Sequence, residues 1–108
     1  MKLFLSIPIS GKEDTLLERY NNALELIFKH FPEYEVVCQS NLEELARDKK
    51  SVPESEFPYY MGKDIQSVLE ADLLFLGSGW EMSKGCLLEF RAAELFGKKI
   101  ISQNSIEN

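Results

Sequence analysis

The stretch Leu73–Gly97, LLFLGSGWEMSKGCLLEFRAAELFG, restricts the fold of this chain more than any other. It opens on four consecutive apolar residues. A strand facing water on one side alternates apolar with polar positions. An unbroken run suits a strand buried on both faces, as in a parallel sheet. A Gly/Ser-rich turn and a helical pattern follow, which is the crossover that a parallel strand requires. That helix carries one carboxylate, Glu89, where apolar residues are expected.

The rest of the chain repeats the alternation. Lys2–Ile7 is a short apolar run ended by Pro8, which cannot donate to a central ladder. Ser10 and Glu13 have capping-box spacing. They predict a helix to about Phe31 with Leu16, Leu17, Tyr20, Leu24, Ile27, Phe28 and Phe31 on its apolar face, stopped by Pro32. His30, the only histidine, suits the negative end of that helix. Tyr34–Cys38 reads as the second strand. Ser40 and Glu43 repeat the capping spacing and open a short helix to about Lys50, with Glu43, Glu44, Arg47, Asp48, Lys49 and Lys50 as a solvated face. Ser51–Pro58 reads as a loop. Tyr59–Glu70 is a third helix, with Met61, Ile65, Val68 and Leu69 apolar, and Asp72–Leu76 is the third strand. Ser83 is a natural N-cap for a helix over Lys84–Phe96, closed by Gly97. Lys98–Ser102 is a last strand, and the polar tail Gln103–Asn108 is expected to fray.

This order predicts one domain over residues 1–108, with a parallel sheet, right-handed crossovers and helices on both faces. Ligands in such sheets sit at the carboxyl ends of the strands, near the point where strand order reverses. Two loops are favoured, Ile7–Gly11 and Gly77–Gly85. Twelve basic against 18 acidic residues give a net charge of −6, which argues against a nucleic acid polymer or an anionic membrane as the main partner. A local anion site remains open, because backbone N–H groups at a helix start hold anions without net positive charge. Cys38 and Cys86 have no metal-ligand spacing and read as buried apolar residues; neither a metal nor another cofactor is implied. The N-terminal apolar run is too short for a signal peptide or a membrane span, so a cytoplasmic location is expected.

Glu89 stands apart from the other carboxylates. Its helical neighbours are Gly85, Cys86, Ala92 and Ala93, none of them charged. A partly buried carboxylate costs stability unless it is partnered, so such a position is a functional candidate. The alternative is a Glu89 tilted to solvent or paired with a cation from another element. Asp64 has Tyr60, Met61, Ser67 and Val68 at the same offsets and lies at the edge of an apolar face. Two carboxylates approaching one cleft suit acid/base or nucleophilic work. The Gly77–Gly85 turn is neither a Walker loop nor GxGxxG, and a plain strand–helix connection explains it equally well. Trp80 within it packs on its own domain, stacks on a ligand, or lies in a subunit interface.

Three motifs carry a resemblance. They are Ser6-Ile-Pro-Ile-Ser-Gly11, Tyr60-Met-Gly-Lys-Asp64 followed by Asp72, and Gly79-Trp-Glu-Met-Ser83-Lys-Gly85-Cys-Leu-Leu-Glu89 followed by Ala92, Ala93 and Gly97. In this order they resemble the nucleoside 2-deoxyribosyltransferase superfamily, in particular its small bacterial and phage branch. The resemblance implies a Rossmann-like or flavodoxin-like three-layer sandwich with a parallel sheet of four or five strands. It implies cleavage of an N-glycosidic bond, or deoxyribosyl transfer, on a nucleoside or nucleotide. Glu89 falls on the nucleophile and Asp64 on the aspartate that orients it. Ser83 and Gly85 fall on the turn that contacts the sugar 5′ end or its phosphate, and Ser6 on the first-strand loop. Ile7, Gly11, Tyr60, Gly79 and Trp80 complete the expected pocket, and a homo-oligomer, a dimer or higher, is implied. Three departures stand out. Ile7 replaces the usual glycine, Pro8 stands where nucleotide-hydrolysing relatives carry an arginine, and Gly79-Trp-Glu81 replaces the base-binding aspartate segment of the transferases. A non-catalytic nucleotide-binding module is the alternative reading.

Overall fold

Four short strands pair in parallel in the order β2-β1-β3-β4: β1 (Lys2–Ser6), β2 (Glu35–Cys38), β3 (Leu73–Leu76) and β4 (Lys99–Ser102). Four α-helices connect or cover them: α1 (Leu16–His30), α2 (Leu42–Asp48), α3 (Phe57–Glu70) and α4 (Lys84–Leu95). This computed structural model describes residues 1–48 and 52–107. Lys49, Lys50, Ser51 and Asn108, and the side chain of Glu43, lie outside the described residues, with the parts of the expected second helix, solvated face, loop and tail that fall on them. The described members of that face, Glu44, Arg47 and Asp48, are exposed.

The two central strands explain the unbroken apolar runs. Leu3, Leu5, Leu73 and Phe75 point to one face and meet Leu16, Ala23 and Ile27 of α1 and Leu42, Leu45 and Ala46 of α2. Phe4, Leu74 and Leu76 point to the other and meet Val68 of α3 and Ala93 of α4. Both faces of β1 and β3 are therefore dry, whereas most of the edge strands β2 and β4 is only half-buried.

Several boundaries differ from the sequence expectation. The first helix does not start on a Ser10 capping box. A 3-10 turn, Glu13–Thr15, precedes α1, and no side chain caps it. Arg19 draws the loop into this shape by donating to Pro8 O and Lys12 O at 2.7 Å each and to Thr15 Oγ1 at 3.0 Å. Leu17 and Phe28 are exposed, not on the buried face. Each sits one residue, or 100° of helix, beyond Leu16 and Ile27, while Ala23 takes the place between them. The third helix starts at Phe57, because Pro58 is tolerated in a first turn whose N–H groups have no helical partner. The tail does not fray at its start: Gln103–Ser105 forms a 3-10 turn and Gln103 is buried. Gly97 closes α4 as expected. Its φ is 67°, and the bonds Gly97 N–H to Glu94 O and Lys98 N–H to Ala93 O form a Schellman motif.

Past the strand ends, side chains continue the ladder. The Gln39 carboxamide, just after β2, accepts from Ile7 N–H at 3.3 Å and donates to Ile7 O at 2.7 Å. Gln103, just after β4, accepts from Ser78 N–H at 3.2 Å. Between them Gly77 N–H donates to Ser6 O at 2.7 Å. Each edge strand thus ends in a glutamine that holds the loop of its central neighbour. The two central loops approach so closely that a Cβ on Gly77 would lie 3.3 Å from both Ile7 Cγ1 and Ser6 O. We expect Gly77→Ala to lower stability by about 1–3 kcal/mol through this overpacking. A urea unfolding midpoint equal to that of the parent protein would show that the loops separate freely.

Candidate functional site

Ser6 ends β1 on the face that carries Phe4, Leu74 and Leu76, the face covered by α3 and α4. A polar residue there needs a partner, and α4 provides one. Ser6 Oγ donates to Glu89 Oε1 at 2.5 Å. Glu89 is 1% exposed, and among the described residues it makes no ion pair. Neither of the bland alternatives, a solvent-facing or a cation-paired Glu89, applies. Burial pushes its carboxyl from an ordinary 4.5 up to about 8, against the Ser6 hydrogen bond that favours the anion; the charge of Asp64 pushes it further up. Free Glu89 is therefore mainly protonated at neutral pH.

Asp64 reaches the same region from α3. It is 4% exposed, and its Oδ1 accepts from the Ser40 backbone N–H at 2.9 Å. Burial raises its pKa, and the bonds to Ser40 oppose the rise. Asp64 and Glu89 both line an open cleft of about 510 Å³ over the carboxyl ends of the strands. That volume is within the range of small-molecule sites. Ile7, Tyr60, Ser83 and Gly85 also line it. Ser83 caps α4 by accepting from Cys86 N–H at 3.3 Å, so the first-turn N–H groups of that helix face one end of the cleft. Lys12 and Lys84 stand on the lining as well.

Four expected pocket residues, Ser6, Gly11, Gly79 and Trp80, stand apart from this lining. Trp80 is half-buried and packs on Phe90, with ring centroids 5.0 Å apart, against the core under α4. Gly11 and Gly79 take positive φ values of 78° and 84° and serve the loop turns. Ser6 acts behind the lining, through Glu89. Cys86, one helical turn before Glu89, is buried within hydrogen-bond reach of Ser6 and Ser83, and burial pushes its thiol up to about 11. It is an inert neighbour at neutral pH. Cys38 and Cys86 are not joined in a disulfide. Tyr59 is exposed, edge-on to Tyr60, with Lys63 Nζ 4.9 Å from its ring centre.

The loop after β2 also contributes, through Gln39 and Asn41, and the sequence reading did not include it. Its position at a strand carboxyl end was the available signal. Among the described residues no group of three or more His, Cys, Asp or Glu side chains could hold a metal ion, and no helix is long and apolar enough to cross a membrane.

Fold and site together define an α/β domain with a parallel sheet, in generic Rossmann-like topology, and a pair of buried carboxylates at the strand ends. The family described as a domain of unknown function, DUF4406, matches residues 1–102, and the chain belongs to that family. No curated protein and no solved structure matches it.

The raised Glu89 pKa has a consequence for stability. The folded protein holds this proton more tightly than the unfolded chain does. The contribution is fully present below about pH 4.5 and is lost as pH rises to about 8. Glu89→Gln keeps the acceptor for Ser6 and removes the charge. We expect the variant to gain on the parent protein progressively between pH 5 and 8, by a few kcal/mol at the upper end. Urea unfolding at pH 5, 7 and 9 measures this; parallel stability curves would contradict the buried-acid description.

Proposed function

We propose that this domain cleaves the N-glycosidic bond of a nucleoside or nucleotide, or transfers its deoxyribosyl group, with Glu89 as nucleophile. The observation that supports it most is the convergence of Asp64 and Glu89, from two helices, on one cleft. The order of the three sequence motifs supports it as well. So does the strand order, which is a flavodoxin-like 2-1-3-4 arrangement with the cleft beside its β1/β3 switch point. We read the layers accordingly as a three-layer sandwich.

In this mechanism ionised Glu89 attacks the sugar C1′ as the carbon–nitrogen bond breaks. The bond electrons leave with the base, which takes a proton from Asp64 or from a group on a neighbouring subunit. Glu89 is then held as a glycosyl ester, which water opens for hydrolysis or a second base opens for transfer. Ser6 positions the carboxylate and stabilises its anion. The N-terminal turn of α4 with Ser83 and Gly85 receives the 5′ end of the sugar. No cofactor takes part.

The nucleophile must lose its proton, so kcat/KM is expected to rise with pH to a plateau above about 8. Asp64→Asn removes one of the two candidate proton donors and is expected to lower base release by about 10²-fold or more if Asp64 is the donor. The test is a panel of nucleosides and nucleoside monophosphates with free base read by chromatography. Glu89→Gln with undiminished base release would sink the proposal.

The protonated state of Glu89 at neutral pH also favours a second reading, a nucleotide-binding module in which the neutral acid only donates a hydrogen bond. It predicts saturable binding with no base release at any pH from 6 to 9, and affinity retained in Glu89→Gln.

A cytoplasmic homo-oligomer completes the proposal. Met82, Leu88 and Phe57 are exposed apolar residues on the rim of the cleft, and Leu87 and Leu95 extend the patch along α4. A second copy seated there would cover the rim. Sedimentation is expected to give a dimer or larger species at micromolar concentration; a monomer alone would exclude it.

A further inference from the structure

Gln39, Ser40 and Asn41 form the connection between β2 and α2. Two of the three are committed to the scaffold. The Gln39 carboxamide bonds both backbone groups of Ile7, and the Ser40 N–H holds Asp64. Asn41 differs. It is only 8% exposed, it lines the cleft, and its carboxamide has no hydrogen-bond partner among the described residues. It directly follows the residue that fixes Asp64.

The polar atoms of Asn41 are not sealed from solvent, so a ligand that covers them must supply their hydrogen bonds or lose about 1–3 kcal/mol. In a core such a group is removed or paired. On the wall of a cleft it is a group whose partner arrives with the ligand. A carboxamide offers an acceptor and a donor side by side in one plane. Its complement is an edge offering a donor next to an acceptor, as in the pairing of asparagine with adenine. Phosphate has only acceptors and would leave the amide oxygen unpaired. Aliphatic surface would leave both groups unpaired.

We propose that Asn41 is the specificity-determining residue of the cleft, reading a nucleobase edge that carries a hydrogen-bond donor beside an acceptor. This rests on the nucleoside reading above. Sites of this kind reject analogues that lack the matching group, because the buried polar partner is then left unpaired. The lining carries no other uncharged carboxamide free for this task, since Gln39 is engaged on both of its polar atoms.

The test uses the full chain carrying Glu89→Gln, so that bound nucleoside is not consumed, and titration calorimetry. Adenosine is compared with purine riboside, which lacks the exocyclic amine, and uridine with 3-methyluridine, whose ring N–H is blocked. The intact member of at least one pair is expected to bind about tenfold tighter or more than its partner. Adding Asn41→Leu is expected to bring that ratio close to one by weakening the intact nucleoside alone. An unchanged ratio, equal binding within both pairs, or no binding of any of the four overturns the inference. Should Asn41→Leu fail to fold, Asn41→Asp keeps the shape without the donor, and unchanged affinities for all four nucleosides would refute it equally. Base release by the parent protein is measured separately. Release with an Asn41-independent ratio rejects this inference and leaves the glycosidic reading standing. An Asn41-dependent ratio with no release does the reverse.

Discussion

The bond between Ser6 and Glu89 joins the end of the central strand to the helix that covers it, and the cleft depends on it. A carboxyl group buried to 1% exposure beside an apolar core is costly unless something holds it. Ser6, itself fully buried at the last position of β1, is that partner. The bond fixes the height of α4 over the strand ends. The N-terminal turn of α4, with Ser83 and Gly85, is thereby set on the cleft, and Cys86 is set between two serine hydroxyls. Burial leaves Glu89 as an acid that titrates near 8, so one group both anchors the helix and stays poised to change charge.

Around this anchor the loops are held by amides. Gln39 and Gln103 stand just past the two edge strands and bond the loops that follow the two central ones. In a sheet with strands of four or five residues, backbone pairing ends early. Side-chain amides extend the ladder beyond it and tie the rim loops to the sheet. Gly77 permits the closest approach, where the loops after β1 and β3 touch. Rigid loops are a condition for chemistry at this end of a parallel sheet, since small displacements of positioned groups cost rate steeply.

Much of the fold was legible in the sequence because the signals were local. Apolar runs at Lys2–Ile7 and Leu73–Leu76 identified the two central strands, and Pro32 and Gly97 marked the ends of α1 and α4. Errors arose where side chains from elsewhere intervened. Ser10 had capping-box spacing, but Arg19 took the loop carbonyls and made a 3-10 turn instead. Leu17 and Phe28 were apolar at plausible spacing, yet a small residue, Ala23, set the packed line. The tail looked polar and free, yet Gln103 is tied to Ser78.

Glu89 illustrates the division most clearly. Its uncharged helical neighbours were readable in the sequence, and they marked it as the odd carboxylate of its helix. Residue spacing on one helix is fixed by the chain, so that inference needed no tertiary contact. Its partner Ser6 lies 83 positions away, its electrostatic neighbour Asp64 on another helix, and the cleft-lining amide of Asn41 in a third connection. Which of these meet is decided by strand order and by the packing of α3 and α4 on one face of the sheet. The chain determined by itself that a carboxylate would be out of place on α4; only the tertiary structure, through long-range burial and hydrogen bonding, decided what that carboxylate faces.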